Sequence, residues 1–178
     1  MSELLEPPPV KLITGLIFKT SLPIDRCIMN LQERFGEVDF KSDILPFHYT
    51  NYYEDEMGQE LSRIIVSYEK LIRRDKLVNI KKLCTKLEKK YSKYGNRDIN
   101  IDPGYIAPEH LILATGKGFY HRPYLGKGVY ADLTLVFKNK EFIPLEWTYP
   151  DYRTDMLRNL FKRIRESYMY ELAKEQKQ

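Results

Sequence analysis

Four stretches of this 178-residue chain carry side chains able to do chemistry. The first is Phe47-His48-Tyr49-Thr50-Asn51-Tyr52-Tyr53-Glu54-Asp55-Glu56, with five aromatic or imidazole rings and three carboxylates in ten residues. Glu54 and Glu56 suit a hard cation such as Mg²⁺, which takes oxygen ligands and keeps some of its water. Tyr52 can stack on a base or sugar and donate a hydrogen bond. His48 can exchange a proton near neutral pH. The plainer reading is an acidic loop whose tyrosines close the end of a sheet. The second stretch is Asn100-Ile101-Asp102-Pro103-Gly104-Tyr105. Here Asp102 is expected at the point where a short strand enters a turn, a common placement for a catalytic carboxylate, with Tyr105 beside it. An Asp before Pro-Gly also accepts a hydrogen bond from its own turn, and that reading stands equally.

The third stretch is His121-Arg122-Pro123-Tyr124, with Tyr130 and Asp132 across a glycine-flanked turn. His121 suits a general base or a metal ligand, and Arg122 suits a bidentate grip on phosphate or carboxylate. Tyr124 would line the same site, although a histidine in a hairpin is often only structural. The fourth is Trp147-Thr148-Tyr149-Pro150-Asp151-Tyr152-Arg153, which precedes the last helix. The single tryptophan suits packing over the sheet, while Asp151 and Arg153 can reach a ligand or pair with each other.

Several chemistries are missing. No Walker A loop is present: Gly126-Lys127-Gly128 lacks both the upstream glycine and the hydroxyl after the lysine. No serine lies in G-x-S-x-G, no HExxH is present, and no GxGxxG follows a strand. Cys27 and Cys84 fall on apolar helix positions outside any CxxC, which points to a reducing, cytoplasmic setting. The N-terminal residues are acidic and proline-rich, unlike a secretory signal, and no apolar run approaches the length of a membrane span. The formal net charge of +4 is unevenly spread. Lys70 to Arg97 holds eleven basic and two acidic residues; Glu37 to Glu69 holds two basic and eight acidic ones. The basic segment can steer an anionic partner or can simply be a solvated helix face.

The elements that must position these residues follow from periodicity. Residues 1–9 read as a flexible tail and 10–178 as one domain. VKLITGLIFK at 10–19 reads as a strand buried on both faces; Gly15 within it marks a close approach by backbone or ligand. Ser21 is expected to cap a helix with the stripe Ile24, Cys27, Ile28, Leu31 and Phe35, stopped by Gly36. Strands are expected at 37–45, 61–68 and 97–101, and a long helix at 73–94 ended by Gly95. Asp102-Pro103-Gly104 reads as a turn and 108–114 as helical turns. Strands at 119–125 and 129–137 form a hairpin, and 141–145 is a short strand. Thr154 caps a last helix with the stripe Leu157, Leu160, Phe161, Ile164, Tyr168 and Leu172. The order gives an α+β, ferredoxin-like βαββαβ antiparallel sheet with two long helices on one face, plus an added hairpin and a C-terminal helix.

Further motifs join these: ERFGEVDF at 33–40, FHYTNYYEDEMG at 47–58, NIDPGYIAPEHLILAT at 100–115, HRPYLGKGVYADLTL at 121–135 and WTYPDYR at 147–153. Together they make the chain resemble, nearly end to end, the bacterial "domain of unknown function 4416" family. The resemblance implies no established activity. It brings a GTP-binding label attached to some similar proteins, which the missing Walker A loop argues against for a P-loop geometry. The residues point first to a phosphorylated small molecule or nucleotide, held in a cleft of His, Asp, Glu and Tyr with Mg²⁺ as a candidate cofactor. A non-catalytic partner-binding or oligomerising protein is the alternative, and an RNA-binding module a third. Whether a reaction follows binding stays open.

Overall fold

The computed structural model describes residues 3–50, 53–93 and 95–175, the side chains of 54, 55 and 93 excepted. Val10–Lys19 forms β1, Ile24–Phe35 α1, Val38–Lys41 β2, Leu45–Phe47 β3 and Glu54–Met57 the one-turn α2. Leu61–Ile72 is β4; a 3-10 turn at Arg74–Lys76 leads into α3, Leu77–Lys90. Then come β5 (Ser92–Lys93), β6 (Asn96–Arg97), β7 (Ile99–Ile106), β8 (His110–Thr115), β9 (Tyr124–Gly126), β10 (Val129–Lys138), β11 (Glu141–Pro144) and α4 (Asp155–Glu175). Nine strands make one sheet in the order β11-β10-β8-β7-β1-β4-β2, with β3 also on β4 and β9 also on β10. Every pairing is antiparallel. The architecture is therefore α+β, built on a large antiparallel sheet.

Alternation along β1 explains why both faces are covered. Leu12, Leu16 and Phe18 bury against the stripes of α1 and α3, whereas Ile13 points the other way, into the cluster made with α4. Each fully buried Leu or Ile contributes about 1.5–3 kcal/mol, so the doubly apolar β1 anchors both layers. The expected stripe of α1 is buried residue for residue. In α4, Leu157, Phe161, Ile164, Tyr168 and Leu172 are buried, and the Thr154 hydroxyl accepts the Leu157 N–H at 3.3 Å. Among the described residues no helix is long and apolar enough to cross a membrane.

Five local expectations need correction. Residues 110–115 are strand β8, not helical turns. HLILAT is too short for periodicity to discriminate, and pairing with β7 on one side and β10 on the other decides it. Asp102-Pro103-Gly104 lies inside β7, not in a turn. The Ile101 N–H and C=O face away from β1, so by alternation the donorless nitrogen of Pro103 does too, toward a side where β8 pairing has not begun. Ser21 does not cap α1, whose N-cap is Pro23 without a side-chain bond. The basic helix stops at Lys90; Gly95, at φ +87°, serves the small β5–β6 hairpin instead. The 119–125 segment contributes strand only over Tyr124–Gly126.

Candidate functional site

On the α4 face, the segment before α4 crosses the sheet from β10 to β4. Trp147 Nε1 donates to the Leu133 carbonyl at 2.8 Å, and the Thr148 hydroxyl donates to Thr134 O at 2.6 Å. Arg153 closes the segment on itself through Thr148 O and Glu146 O, a scaffolding role rather than the ligand contact expected of it. At the far end Asp151 forms an ion pair with Arg63 of β4, both side chains about 95% buried. Between them Tyr152 lies over β1, where Gly15 makes room for it. A Cβ on Gly15 would stand 3.0 Å from the Tyr152 hydroxyl and 3.4 Å from Ile65 Cδ1. The close approach expected at Gly15 is thus made by a side chain. Gly15→Ala should cost about 1–3 kcal/mol by overpacking. Tyr152→Phe removes the hydroxyl that the added methyl would meet and should rescue most of that loss in the double variant. Urea denaturation of the four proteins checks this; strictly additive effects would refute it.

The Arg63 guanidinium lies 5.0 Å from the ring centroids of both Phe47 and Tyr152. Burial alone would weaken its basicity, but Tyr152, Asp151 and Asp102 outweigh burial and hold its pKa above the usual value. Burial pushes the Asp151 carboxyl up, against the pull of Arg63. Burial likewise raises the Tyr53 and Tyr152 hydroxyls, with Asp102 adding to both. Asp102 therefore sits within electrostatic reach of Arg63, Tyr53, Tyr152 and Asp151. Its half-buried carboxylate accepts Asn100 Nδ2 at 2.7 Å and lies 3.5 Å from Lys81 Nζ.

Where β8 leaves β7, side chains of α3 complete the free edge. Glu88 accepts the Ile101 N–H at 2.6 Å, and Lys81 donates to the Ile101 carbonyl at 3.1 Å. Burial raises the Glu88 carboxyl above its ordinary value of 4.5 despite Lys81 and Arg97 nearby. A carboxyl with a raised folded-state pKa contributes stability below its unfolded value, and that contribution is lost as pH climbs through the folded value. Glu88→Gln should therefore melt higher than the wild type at neutral pH, with the gap closing toward pH ~4. Melting curves of both proteins across that range check it; a variant that melts no higher than wild type at neutral pH would refute it.

Arg122, Asp132, His121 and Tyr149 form the adjoining half. Arg122 Nε donates to Asp132 Oδ2 at 2.7 Å, and Arg122 Nη2 donates to the Tyr149 hydroxyl at 2.8 Å. His121 Nε2 lies 3.5 Å from the same Asp132 oxygen, its ring stacked on Trp147 at 4.8 Å. Tyr149 joins the halves: its ring is 6.3 Å from that of Tyr152. Burial pushes its hydroxyl up to about 12, lowered by Arg122 and raised by Asp132, Asp102 and Asp151.

Of the residues expected at a site, the structure brings Asp102, His121, Arg122 and Asp151 together on this face. It sends others elsewhere. His48 is exposed and stacks on Tyr49. Tyr105 points to the opposite face, into a cluster with Leu77 of α3, because it is one residue out of phase with Gly104. Tyr124 is exposed on the hairpin arm against Tyr130. Both Glu56 oxygens accept from Arg97, which holds the carboxyl below its usual range and neutralises its charge. Beside that pair an open groove of ≈ 450 Å³ runs between Lys19–Ser21, Glu56–Glu60 and Asn96. Tyr52 and the Glu54 side chain lie outside the described residues. Among the described residues no three His, Cys, Asp or Glu side chains are grouped to hold a metal.

Sequence reasoning missed Arg63, Tyr53, Tyr149 and Tyr152 as site residues. Arg63 had a signal: a lone charge inside the apolar strand LSRIIVSY must find a partner in the core. Buried side-chain atoms without a hydrogen-bond partner among the described residues concentrate here. They are Arg63 Nε, the Tyr152 hydroxyl and His121 Nδ1, together with Arg63 Nη1, Asp151 Oδ2 and His121 Nε2, whose contacts are the ion pairs above, against Arg74 Nε and His110 Nε2 elsewhere. No curated protein and no solved structure matches the chain. The sequence profile of the domain of unknown function (DUF4416) matches residues 8–168. The chain belongs to the DUF4416 family.

Proposed function

We propose that this protein binds a phosphorylated small molecule, nucleotides included, on the α4 face, with Arg63, Arg122 and the Tyr53, Tyr149 and Tyr152 hydroxyls toward its anion. One observation carries the reading: Arg63 Nε, the Tyr152 hydroxyl and His121 Nδ1, buried polar atoms with neither a hydrogen bond nor an ion-pair contact of their own among the described residues, are gathered in this one cluster. Native interiors leave few such atoms, and each calls for water, an ion or a ligand. Arg63 Nε, the Tyr152 hydroxyl and one His121 nitrogen can donate, so an acceptor-rich group such as phosphate suits them. His121 beside Asp132 can act as a base on a bound molecule, as buried His–Asp pairs do. We further read β7-β1-β4-β2 with α1 and α3 as a ferredoxin-like unit extended by β8 to β11. The unpaired buried thiols of Cys27 and Cys84 support a cytosolic setting.

The test is a melting-temperature panel of inorganic phosphate, sugar phosphates and nucleotides, each with and without Mg²⁺. A ligand at a hundred times its Kd adds about 2.7 kcal/mol, or roughly 5–11 °C for a chain of this size. Arg122→Gln should abolish that shift; it also leaves the buried Asp132 carboxylate without its cation, so the rise is read against the variant's own lower unliganded melting point. A panel in which no phosphorylated compound moves the melting point would end the proposal. A second reading, partner binding without catalysis, is favoured by the exposed Phe119, Tyr120, Tyr124 and Leu125 on the hairpin arm. Light scattering that shows a dimer lost on Phe119→Ser/Tyr120→Ser would select it.

A further inference from the structure

We infer that the solvent side of α3, on the sheet face opposite the proposed ligand site, is a track for a nucleic-acid phosphate backbone. Lys82, Lys86, Lys89 and Lys90 are all exposed there. Spacings of four and three put Lys82, Lys86 and Lys89 on one stripe, which Lys90 broadens at its C-terminal end, about 12 Å long from Lys82 to Lys90. None of the four has an ion-pair partner among the described residues. Lys81, one position out of phase, turns instead to the sheet and is neutralised by Asp102. Glu88, the one carboxylate of α3, is buried on the sheet side, its side chain 6% exposed. The stripe therefore carries uncompensated positive charge along its whole length. Arg26 of the neighbouring α1 extends the field, since it acts on Tyr91 just past the end of α3, whereas Arg34 beside it is paired with Glu33.

The shape of the patch selects the partner. A single row of cations matches a linear polyanion, which presents one phosphate per ~3.4 Å of axis on each strand, so the row faces three or four phosphates. A membrane is disfavoured because Met29 and Leu83 are the large apolar side chains exposed on α1 and α3, too few to seat in a bilayer. No aromatic ring of α1 or α3 is exposed to stack a base, so recognition is through phosphate and independent of sequence.

The test is fluorescence anisotropy of a labelled oligouridine against the full chain, from about 50 to about 200 mM salt. Four phosphate contacts predict a log–log slope of about −2.8 and a ~50-fold loss of affinity across that range. The variant K82Q/K86Q/K89Q/K90Q, with its melting point unchanged because the side chains are exposed, should bind at least ~20-fold more weakly at the lower salt and lose most of the slope. Three results would each overturn the proposal: wild-type affinity and slope in the variant, no binding at the lower salt, or capture by phosphatidylserine vesicles without binding to the oligonucleotide. Arg122→Gln should leave this binding intact, which separates the track from the ligand site.

Discussion

Asp151→Ala should lower the unfolding free energy by about 3–5 kcal/mol, because it strips the partner from a fully buried guanidinium. For a chain of this length that corresponds to a melting shift of roughly 6–20 °C. Arg63 sits between the rings of Phe47 and Tyr152, and Asp151 is the carboxylate in direct ion-pair contact with it. Water cannot replace that carboxylate without opening the segment that covers it. Removing both charges is different in kind. Arg63→Met/Asp151→Leu fills the same volume with apolar atoms, so most of the single-variant loss should return. The same double variant should also lose any phosphate-dependent rise in melting temperature, since the buried donors are gone. Equilibrium denaturation with and without phosphate compounds reads both effects. An Asp151→Ala protein within ~1 kcal/mol of wild type would show that the pair is not the buried unit described here.

Gly104→Ala should be at least as damaging, at about 3 kcal/mol or more. A Cβ there would stand 2.3 Å from the Ile112 carbonyl oxygen and 2.7 Å from Leu113 Cδ2. The first of these is backbone, so no rotamer change relieves it. The β7–β8 contact comprises the pairs Gly104–Leu113, Tyr105–Ile112 and Ile106–Leu111. That short ladder joins the half of the sheet carrying Arg63 and Asp102 to the half carrying Asp132 and the hairpin. Displacing β8 would therefore separate the two halves of the candidate site as well as weaken the fold. Circular dichroism and denaturation would detect the loss. The Gly116→Ala variant is the control, because nothing lies within 4 Å of a Cβ at that position.

Patterns internal to one element were legible in the chain. The stripes of α1 and α4, the two-faced burial of β1 and the Thr154 cap depend on spacing along a single segment, and local periodicity carries that information. Family membership was legible too, because long motifs at 33–58, 100–115 and 121–153 are specific as strings. Residue type alone singles out Asp102, His121, Arg122 and Asp151 as groups able to do chemistry.

Phase and partner were decided by the tertiary structure. Whether HLILAT forms a helix or a strand depends on β7 and β10 flanking it, and whether Asp102 ends a strand or lies within one depends on its pairing with Gly15. Tyr105 was lost to the site by one residue of strand phase, since successive strand residues face opposite sides. Glu56 pairs with Arg97, forty-one positions away, and Arg63 with Asp151, across about half of the chain. Residue type and spacing state what a side chain is able to do. Which partner neutralises it, and on which face, is settled by pairing between distant strands, whose free energy depends on contacts that no local window contains.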